Sequence, residues 1–249
     1  MSPKLSLTVG WLYPELMSTY GDRGNVICIQ KRANWRGIDI KILPIIISTP
    51  AKNIELIDIL FGGGAQDEEQ AIVIADLKKE KGIVIKKLIE DNLPALFVCG
   101  SPQLMGHYYE PSEGRRLEGL GIFDMTSVHP GKRSKRLIGN IAAKTIDGDI
   151  IIGFENHGGR TYLGENAKPF AKVLKGYGNN GEDGTEGVVY KNAIGCYFHG
   201  PLLPKNPEIA DMLIKKAIKR KYQKDIVLTL LDDSLAHKAK EIMLKRLNI

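Results

Sequence analysis

The chain lacks the short cysteine and histidine patterns from which disulfide scaffolds and zinc sites are built. Its three cysteines, Cys28, Cys99 and Cys196, are an odd number, widely spaced and without a CxxC pair. That argues against a disulfide framework and suits a reducing cytoplasm. The five histidines form no HxxxH or HExxH spacing, so no metal is expected. The sequence GxxxxGK followed by Ser or Thr is absent, which excludes a phosphate loop of that type. No apolar run reaches the roughly 18–20 residues that a spanning helix needs, and the N-terminus carries no signal-peptide core. A soluble, cytoplasmic chain without direct membrane insertion is the expectation.

Negative charge is the scarcer sign. The net charge is +6 and the isoelectric point about 9.0, which could suggest nucleic acid. However, the basic residues gather in Lys215-Lys216-Ala-Ile-Lys219-Arg220-Lys221 and again over residues 238–246. Both stretches have amphipathic helical spacing, so their charges read as solvated faces. No aromatic residues interleave with them in a recognition pattern, so no nucleic-acid partner is expected. Hydrophobic content of 43% and charged content of 26% are those of an ordinary globular chain. At 249 residues one large domain or two small ones would fit. Without repeats or a low-complexity linker, a single domain over 1–249 is simplest, with a core of about 5–221 and a last helix of about 232–248.

Residues 5–12, 39–47, 57–61 and 95–98 read as strands. Between them, Val26, Ile29 and Ala33 share one helical face, and helical signals cover about 68–80 and 84–91. This alternation predicts an α/β fold with a mostly parallel sheet and helices on both faces. From about residue 119 short strand-like runs follow at 137–141, 150–154, 187–190 and 194–198, separated by turn residues; these predict antiparallel additions. A helix opens at Pro207 with Ile209, Met212, Leu213 and Ala217 on one face. The last helix places Leu235, Ala239, Ile242, Met243 and Leu247 similarly.

The most informative stretch is Ala95-Leu-Phe-Val-Cys99-Gly-Ser-Pro-Gln103. A nucleophile on a sharp strand-to-helix turn has an exposed side chain and free neighbouring N–H groups that can hold an oxyanion. Helix N-termini favour thiolate over thiol, and an unassisted cysteine is only roughly 3% thiolate at pH 7. A buried structural thiol fits the same local pattern. A thiol nucleophile also needs a base. His199 ends another predicted strand, and ligands of α/β sheets bind at the carboxyl ends of strands. Gly62-Gly-Gly64 follows a third strand and could bring a second backbone N–H to the oxyanion, although a plain tight turn fits it equally. His157 lies in a Gly-rich loop where a turn-stabilising role is at least as natural. His107, His129 and His237 have no evident partner.

Longer motifs carry a family resemblance. The runs are Leu12-Tyr-Pro-Glu-Leu-Met-Ser-Thr-Tyr-Gly-Asp-Arg-Gly-Asn25, Gly119-Leu-Gly-Ile-Phe-Asp124, Arg136-Leu-Ile-Gly-Asn-Ile141, Gly153-Phe-Glu-Asn-His-Gly-Gly-Arg-Thr-Tyr162, Gly176-Tyr-Gly-Asn-Asn-Gly-Glu-Asp183 and His199-Gly-Pro-Leu-Leu-Pro-Lys-Asn206. With them the chain resembles the CobB/CobQ-like class I glutamine amidotransferases, and among these the glutaminase subunits that serve lipid II amidation.

The resemblance implies a three-layer flavodoxin-like fold that hydrolyses L-glutamine to glutamate and ammonia without a cofactor. It makes Cys99 the nucleophile and His199 the acid–base. Gly100 and the Gly63/Gly64 turn would hold the oxyanion, Gln103 would sit among the substrate-binding residues, and Arg136 would grip the substrate carboxylate. It also implies a heterodimer with a MurT-like, ATP-dependent Mur-ligase partner that amidates the α-carboxyl of D-glutamate in the lipid II stem peptide. The same fold could instead serve a cobyric-acid-type or other Mur-ligase-like acceptor, or persist as a non-catalytic scaffold. Two departures stand out. His199-Gly200-Pro201 lacks the carboxylate of the common His-x-Glu, so the orienting acid is expected from the partner. Cys99-Gly-Ser101-Pro102-Gln103 also replaces the usual Cys-Gly-Gly-Tyr-Gln.

Overall fold

The structure, a computed structural model, describes residues 4–249. Its centre is a six-stranded sheet in the order Val188–Tyr190, Ala193–Cys196, Ala95–Val98, Ile59–Gly62, Ser6–Leu12, Asp39–Ile45. The first pair is antiparallel and every other pair is parallel. Strands 59–62 and 95–98 are buried at every position. They read as unbroken apolar runs because helices cover both faces of the sheet.

Alternation along those strands divides the core. Ile59, Phe61, Leu96 and Val98 face helices Arg23–Asn34 and Pro207–Tyr222, packing with Val26, Ile29, Leu213 and Ala217. Leu60, Ala95 and Phe97 face helices Asp67–Asp76 and Gly82–Glu90, packing with Val73, Ile85 and Leu88. The helical signal expected to run through residue 80 is interrupted by a π-type turn at Leu77–Lys81. There Lys81 is buried, with its ammonium on Asp76 (2.5 Å) and on the carbonyls of Ile46 and Ile47. Polar burial of this kind is satisfied only if the backbone bends to deliver it.

The antiparallel additions take a more separate form than the strand spacing suggests. Val188–Tyr190 extends the central sheet as its antiparallel edge, whereas Ala193–Cys196, also expected as an antiparallel addition, joins that sheet parallel to Ala95–Val98. Leu137–Thr145 pairs with Ile150–His157 and Ala171–Lys175 in a second sheet, and Met125–Val128 lies between Tyr108–Glu110 and Arg160–Leu163 in a third. A bridge ties the second sheet to the centre: the His199 N–H donates to Phe154 O (2.6 Å) and the Phe154 N–H to His199 O (3.2 Å).

The last helix, Ser234–Leu247, forms as expected, but its apolar face is not covered: Leu235 is 83% and Ile242 60% exposed. Polar ties hold it instead. Lys240 reaches Glu208 (2.5 Å) and Ile150 O, while Arg32 bridges Asp233 at the helix start and Asp211 on the preceding helix. The Arg32 side chain is only 5% exposed; it is the counter-charge of Asp233 and shares Asp211 with Arg36 (2.7 Å). Among the described residues no helix is long and apolar enough to cross a membrane. Replacing Arg32 with Met is expected to destabilise the fold by about 2–4 kcal/mol, because the partly buried Asp233 loses its counter-charge and Asp211 is left with Arg36 alone. Urea unfolding would measure it, and an unchanged midpoint would show that the ion pairs carry no stability.

Candidate active site

Cys99 follows strand Ala95–Val98 directly and precedes helix Gly100–Met105, with φ +57° and ψ −96°. A non-glycine residue is strained there, and such strain persists only where the surroundings over-determine it. Its N–H is held by Cys196 O on the neighbouring strand (2.8 Å), so the turn is fixed by the sheet itself. The Pro at 102 sits in the first helical turn, where its missing N–H is harmless. Cys99 is half-buried and lines a cleft of about 460 Å³, together with Arg136, Gln103, Gln70, Ala65 and Tyr109 among others.

His199 lies beyond the next strand, Ala193–Cys196, and is fully buried. It does not line the open cleft: the Tyr20 ring packs edge-on against the imidazole, centroids 4.9 Å apart. Three side chains converge on Gly64. A Cβ placed there would stand 3.0 Å from His199 Cε1, 3.3 Å from Cys99 Cβ and 3.4 Å from Asp22 Oδ2. His199 Nδ1 is 3.2 Å from Asp22 Oδ1, and both side chains are wholly buried. Nε2 has no hydrogen-bond partner among the described residues, while Cys99 is among the groups that act on the ring; loose nucleophile–base geometry is common where no substrate is bound. Burial opposes charge on this imidazole, but the Cys99 sulfur and the Asp22 carboxylate outweigh it and raise its pKa to about 10.

Asp22 is the residue that sequence reasoning missed. The orienting carboxylate was expected from a partner subunit; here it comes from the chain's own loop, within the Tyr20-Gly-Asp-Arg-Gly24 run. Its second oxygen corrects another expectation. The Gly64 N–H donates to Asp22 Oδ2 at 2.6 Å and is therefore not free for an oxyanion. The Ala65 N–H has no acceptor among the described residues and lies 2.9 Å from where a Cβ on Gly100 would stand. Gly64 is a close-packing point, and Ala65 and Gly100 offer the N–H groups beside Cys99.

Arg136 stands at the rim as expected, exposed and just ahead of strand Leu137–Thr145. Its Nε–H and one Nη2–H donate to Asn156 Oδ1 (2.9 Å) and Asn156 O (3.1 Å), and Asn156 Nδ2 donates to Tyr20 Oη (2.9 Å). The end of the guanidinium remains open for a carboxylate. Gln103 also lines the cleft, but its amide is engaged at both ends, donating to Tyr197 Oη (3.0 Å) and accepting from Gln70 Nε2 (3.2 Å). It shapes a wall.

His157 holds a turn, its Nδ1 2.8 Å from Gly159 O and its ring stacked on Tyr197. Burial pushes its pKa down. His107 pairs with Asp124 away from the cleft, whereas His129 lines it. Among the described residues no cluster of His, Cys, Asp or Glu could hold a metal ion.

The arrangement can perform thiol-dependent acyl transfer: an accessible sulfur on a strained turn, a buried imidazole that keeps its proton at neutral pH, a carboxylate that orients it, and free N–H groups alongside.

Comparison with known proteins bears on this geometry. The family model of the CobB/CobQ-like glutamine amidotransferase domain matches residues 8–207. The chain is 39% identical to the lipid II isoglutaminyl synthase (glutamine-hydrolyzing) subunit GatD of Staphylococcus aureus N315, over 97% of this chain and 96% of the relative. The subunit of the same name from Streptococcus pneumoniae R6 is also 39% identical, over 94% and 89%. A crystal structure of a glutamine amidotransferase superposes with a TM-score of 0.55 at 14% identity, over 84% of this chain and 98% of that one. It shares the fold.

The His199 pKa is raised above its ordinary 6.5. The stabilisation from its charged form is therefore fully present below about pH 6.5 and lost as pH climbs through about 10. Asp22→Asn is expected to move the imidazole titration down towards the ordinary value and to narrow that window. Histidine ¹⁵N chemical shifts against pH would measure it; an unmoved midpoint would exclude Asp22 as the orienting group.

Proposed function

Since the chain belongs to the CobB/CobQ-like glutamine amidotransferase family, we propose that it hydrolyses L-glutamine through Cys99 and delivers the ammonia to a ligase subunit. The sulfur attacks the side-chain amide carbon. The N–H groups of Gly100 and Ala65 stabilise the resulting oxyanion, as free backbone donors beside a nucleophile do. The His199 imidazolium passes its proton to the departing nitrogen, which leaves as ammonia and completes the γ-glutamyl thioester. The neutral imidazole then takes a proton from water, hydroxide displaces the sulfur, and glutamate is released. Asp22 keeps the ring aligned through both steps. The open end of Arg136 receives the substrate α-carboxylate, with Asn156 holding the guanidinium in place.

The observation that carries this reading is the strained Cys99 turn opening on a cleft, backed by the buried His199–Asp22 pair. A metal-independent hydrolysis needs only groups of that kind. The near full-length likeness to two lipid II isoglutaminyl synthase subunits supports a narrower assignment. The partner is a MurT-like, ATP-dependent Mur-ligase subunit in a cytoplasmic heterodimer, and the acceptor is the D-glutamate α-carboxyl of the lipid II stem peptide, which becomes D-isoglutamine. Because Asp22 completes the Cys–His–carboxylate set, the partner is required for the acceptor chemistry and not for the acid.

Two variants and one reconstitution test the reading. Cys99→Ala should abolish ammonia release from glutamine. Arg136→Ala should raise KM about 10- to 100-fold with a smaller effect on kcat, as loss of a charged carboxylate contact does. Co-purification with a Mur-ligase-type partner followed by glutamine-dependent amidation of lipid II should yield the amidated product. Hydrolysis that survives Cys99→Ala would overturn the mechanism, and a complex that leaves lipid II unchanged would overturn the acceptor.

A further inference from the structure

Two hydrogen-bond acceptors in the wall of the cleft have no donor among the described residues. Gln70 is 2% exposed, lines the cleft, and its Oε1 has no partner. The orientation of its amide is set by its surroundings: Nε2 donates to Ala65 O (3.3 Å) and Gln103 Oε1 (3.2 Å). A main-chain carbonyl can only accept, so the NH₂ must face it and Oε1 must face elsewhere. The amide lies against the nucleophile's neighbour, since a Cβ on Gly100 would fall 3.2 Å from Gln70 Cδ. The preceding residue repeats the pattern. Glu69 lines the same cleft, and its Oε2 is buried without a donor. Nearby Asp67 differs, because its carboxylate accepts the Tyr109 hydroxyl (2.9 Å).

Buried acceptors without donors are rare and call for an explanation. One carboxylate oxygen and one amide oxygen on successive residues ask for a cation rich in N–H donors. An ammonium has three such donors and no acceptor. Arg136, at the rim of the same cleft, supplies the opposite chemistry for a carboxylate. An α-amino acid carries both groups on one carbon.

We infer that Glu69 and Gln70 form the subsite for the α-ammonium group of the substrate. This rests on the glutamine reading above and deepens it. Glu69 supplies the countercharge and Gln70 the direction, and the Gln70–Gln103–Tyr197 hydrogen-bond chain holds that direction fixed. The site then selects α-amino acid amides over simple amides of the same length.

Labelling of Cys99 in the full chain tests this without requiring turnover. Three reagents are compared by intact mass: 6-diazo-5-oxo-L-norleucine, its des-amino counterpart 6-diazo-5-oxohexanoate, and iodoacetamide, which reports thiol reactivity alone. The wild-type protein should prefer the amino reagent by at least about 100-fold, as a site built around a polar substrate group does. Glu69→Gln and Gln70→Leu should each slow the amino reagent about 10- to 100-fold and leave the other two rates unchanged. Glu55→Gln, which removes an equal charge from an exposed position outside the cleft, should leave the preference intact. Equal slowing of all three reagents in both variants, or no slowing of the amino reagent, would overturn the subsite. If iodoacetamide labels the wild-type sulfur while neither diazoketone does, the glutamine reading itself fails, and the subsite fails with it.

Discussion

One buried carboxylate organises the reactive end of the molecule. Asp22 Oδ1 meets His199 Nδ1 at 3.2 Å and Oδ2 accepts the Gly64 N–H at 2.6 Å, with both side chains sealed from solvent. A charge in that position is costly unless it is paired and hydrogen-bonded. Here one partner comes from the end of the edgeward strand pair, the other from the turn after the strand Ile59–Gly62, and the carboxylate itself from the first loop. Three segments that are distant in sequence are therefore held to one geometry. Gly64 must stay without a side chain, because a Cβ would crowd His199, Cys99 and Asp22 at once.

The substrate end is connected to the same point. The bridge between Phe154 and His199 joins the second sheet to the base. Two residues further along that strand, Asn156 accepts from Arg136 and donates to Tyr20, whose ring covers the imidazole. The guanidinium at the rim and the buried histidine thus share a scaffold. Glu155, between Phe154 and Asn156, takes the N–H groups of Tyr177 (2.7 Å) and Gly178 (2.9 Å), anchoring the Gly-rich loop behind them. Glu186 is fully buried on the other side of that loop, and burial lifts its pKa to about 8. In the polar motif around residues 153–162, the side chains of Glu155, Asn156, Arg160 and Thr161 each hold a different strand or loop.

The features that periodicity and turn chemistry control were legible in the sequence. Four apolar residues before Cys99 and a Gly after it describe a strand-to-helix turn, and the turn is there. His199 and Arg136 also stand near the expected positions, His199 from its strand end and Arg136 from family resemblance alone. Asp22 was not legible, since it lies in a polar loop without periodicity and meets His199 across 177 positions of chain. The Gly64 N–H departs from expectation for a related reason: a Gly-rich turn announces available donors, but in the folded chain Asp22 has already taken one. The last helix illustrates the converse. Its apolar spacing is real, yet polar ties at Lys240 and Asp233 decide how it sits, and spacing alone cannot rank those against burial.

The site separates access from acid–base strength. The sulfur is half-buried on the cleft, where a substrate carbonyl can reach it, while the imidazole behind it is screened by Tyr20 and Gly64. Were the histidine equally open, water would screen both Asp22 and the sulfur, and the forces that hold its proton would weaken several-fold with the rise in local dielectric. Were the sulfur equally closed, no amide could approach. A strained turn with φ +57° resolves the conflict, since it lifts one side chain out of the sheet's end while the neighbouring strand keeps its partner beneath. In the proposed mechanism, the strain at Cys99 is thus the geometric condition that lets a dry acid–base pair act on a wet substrate.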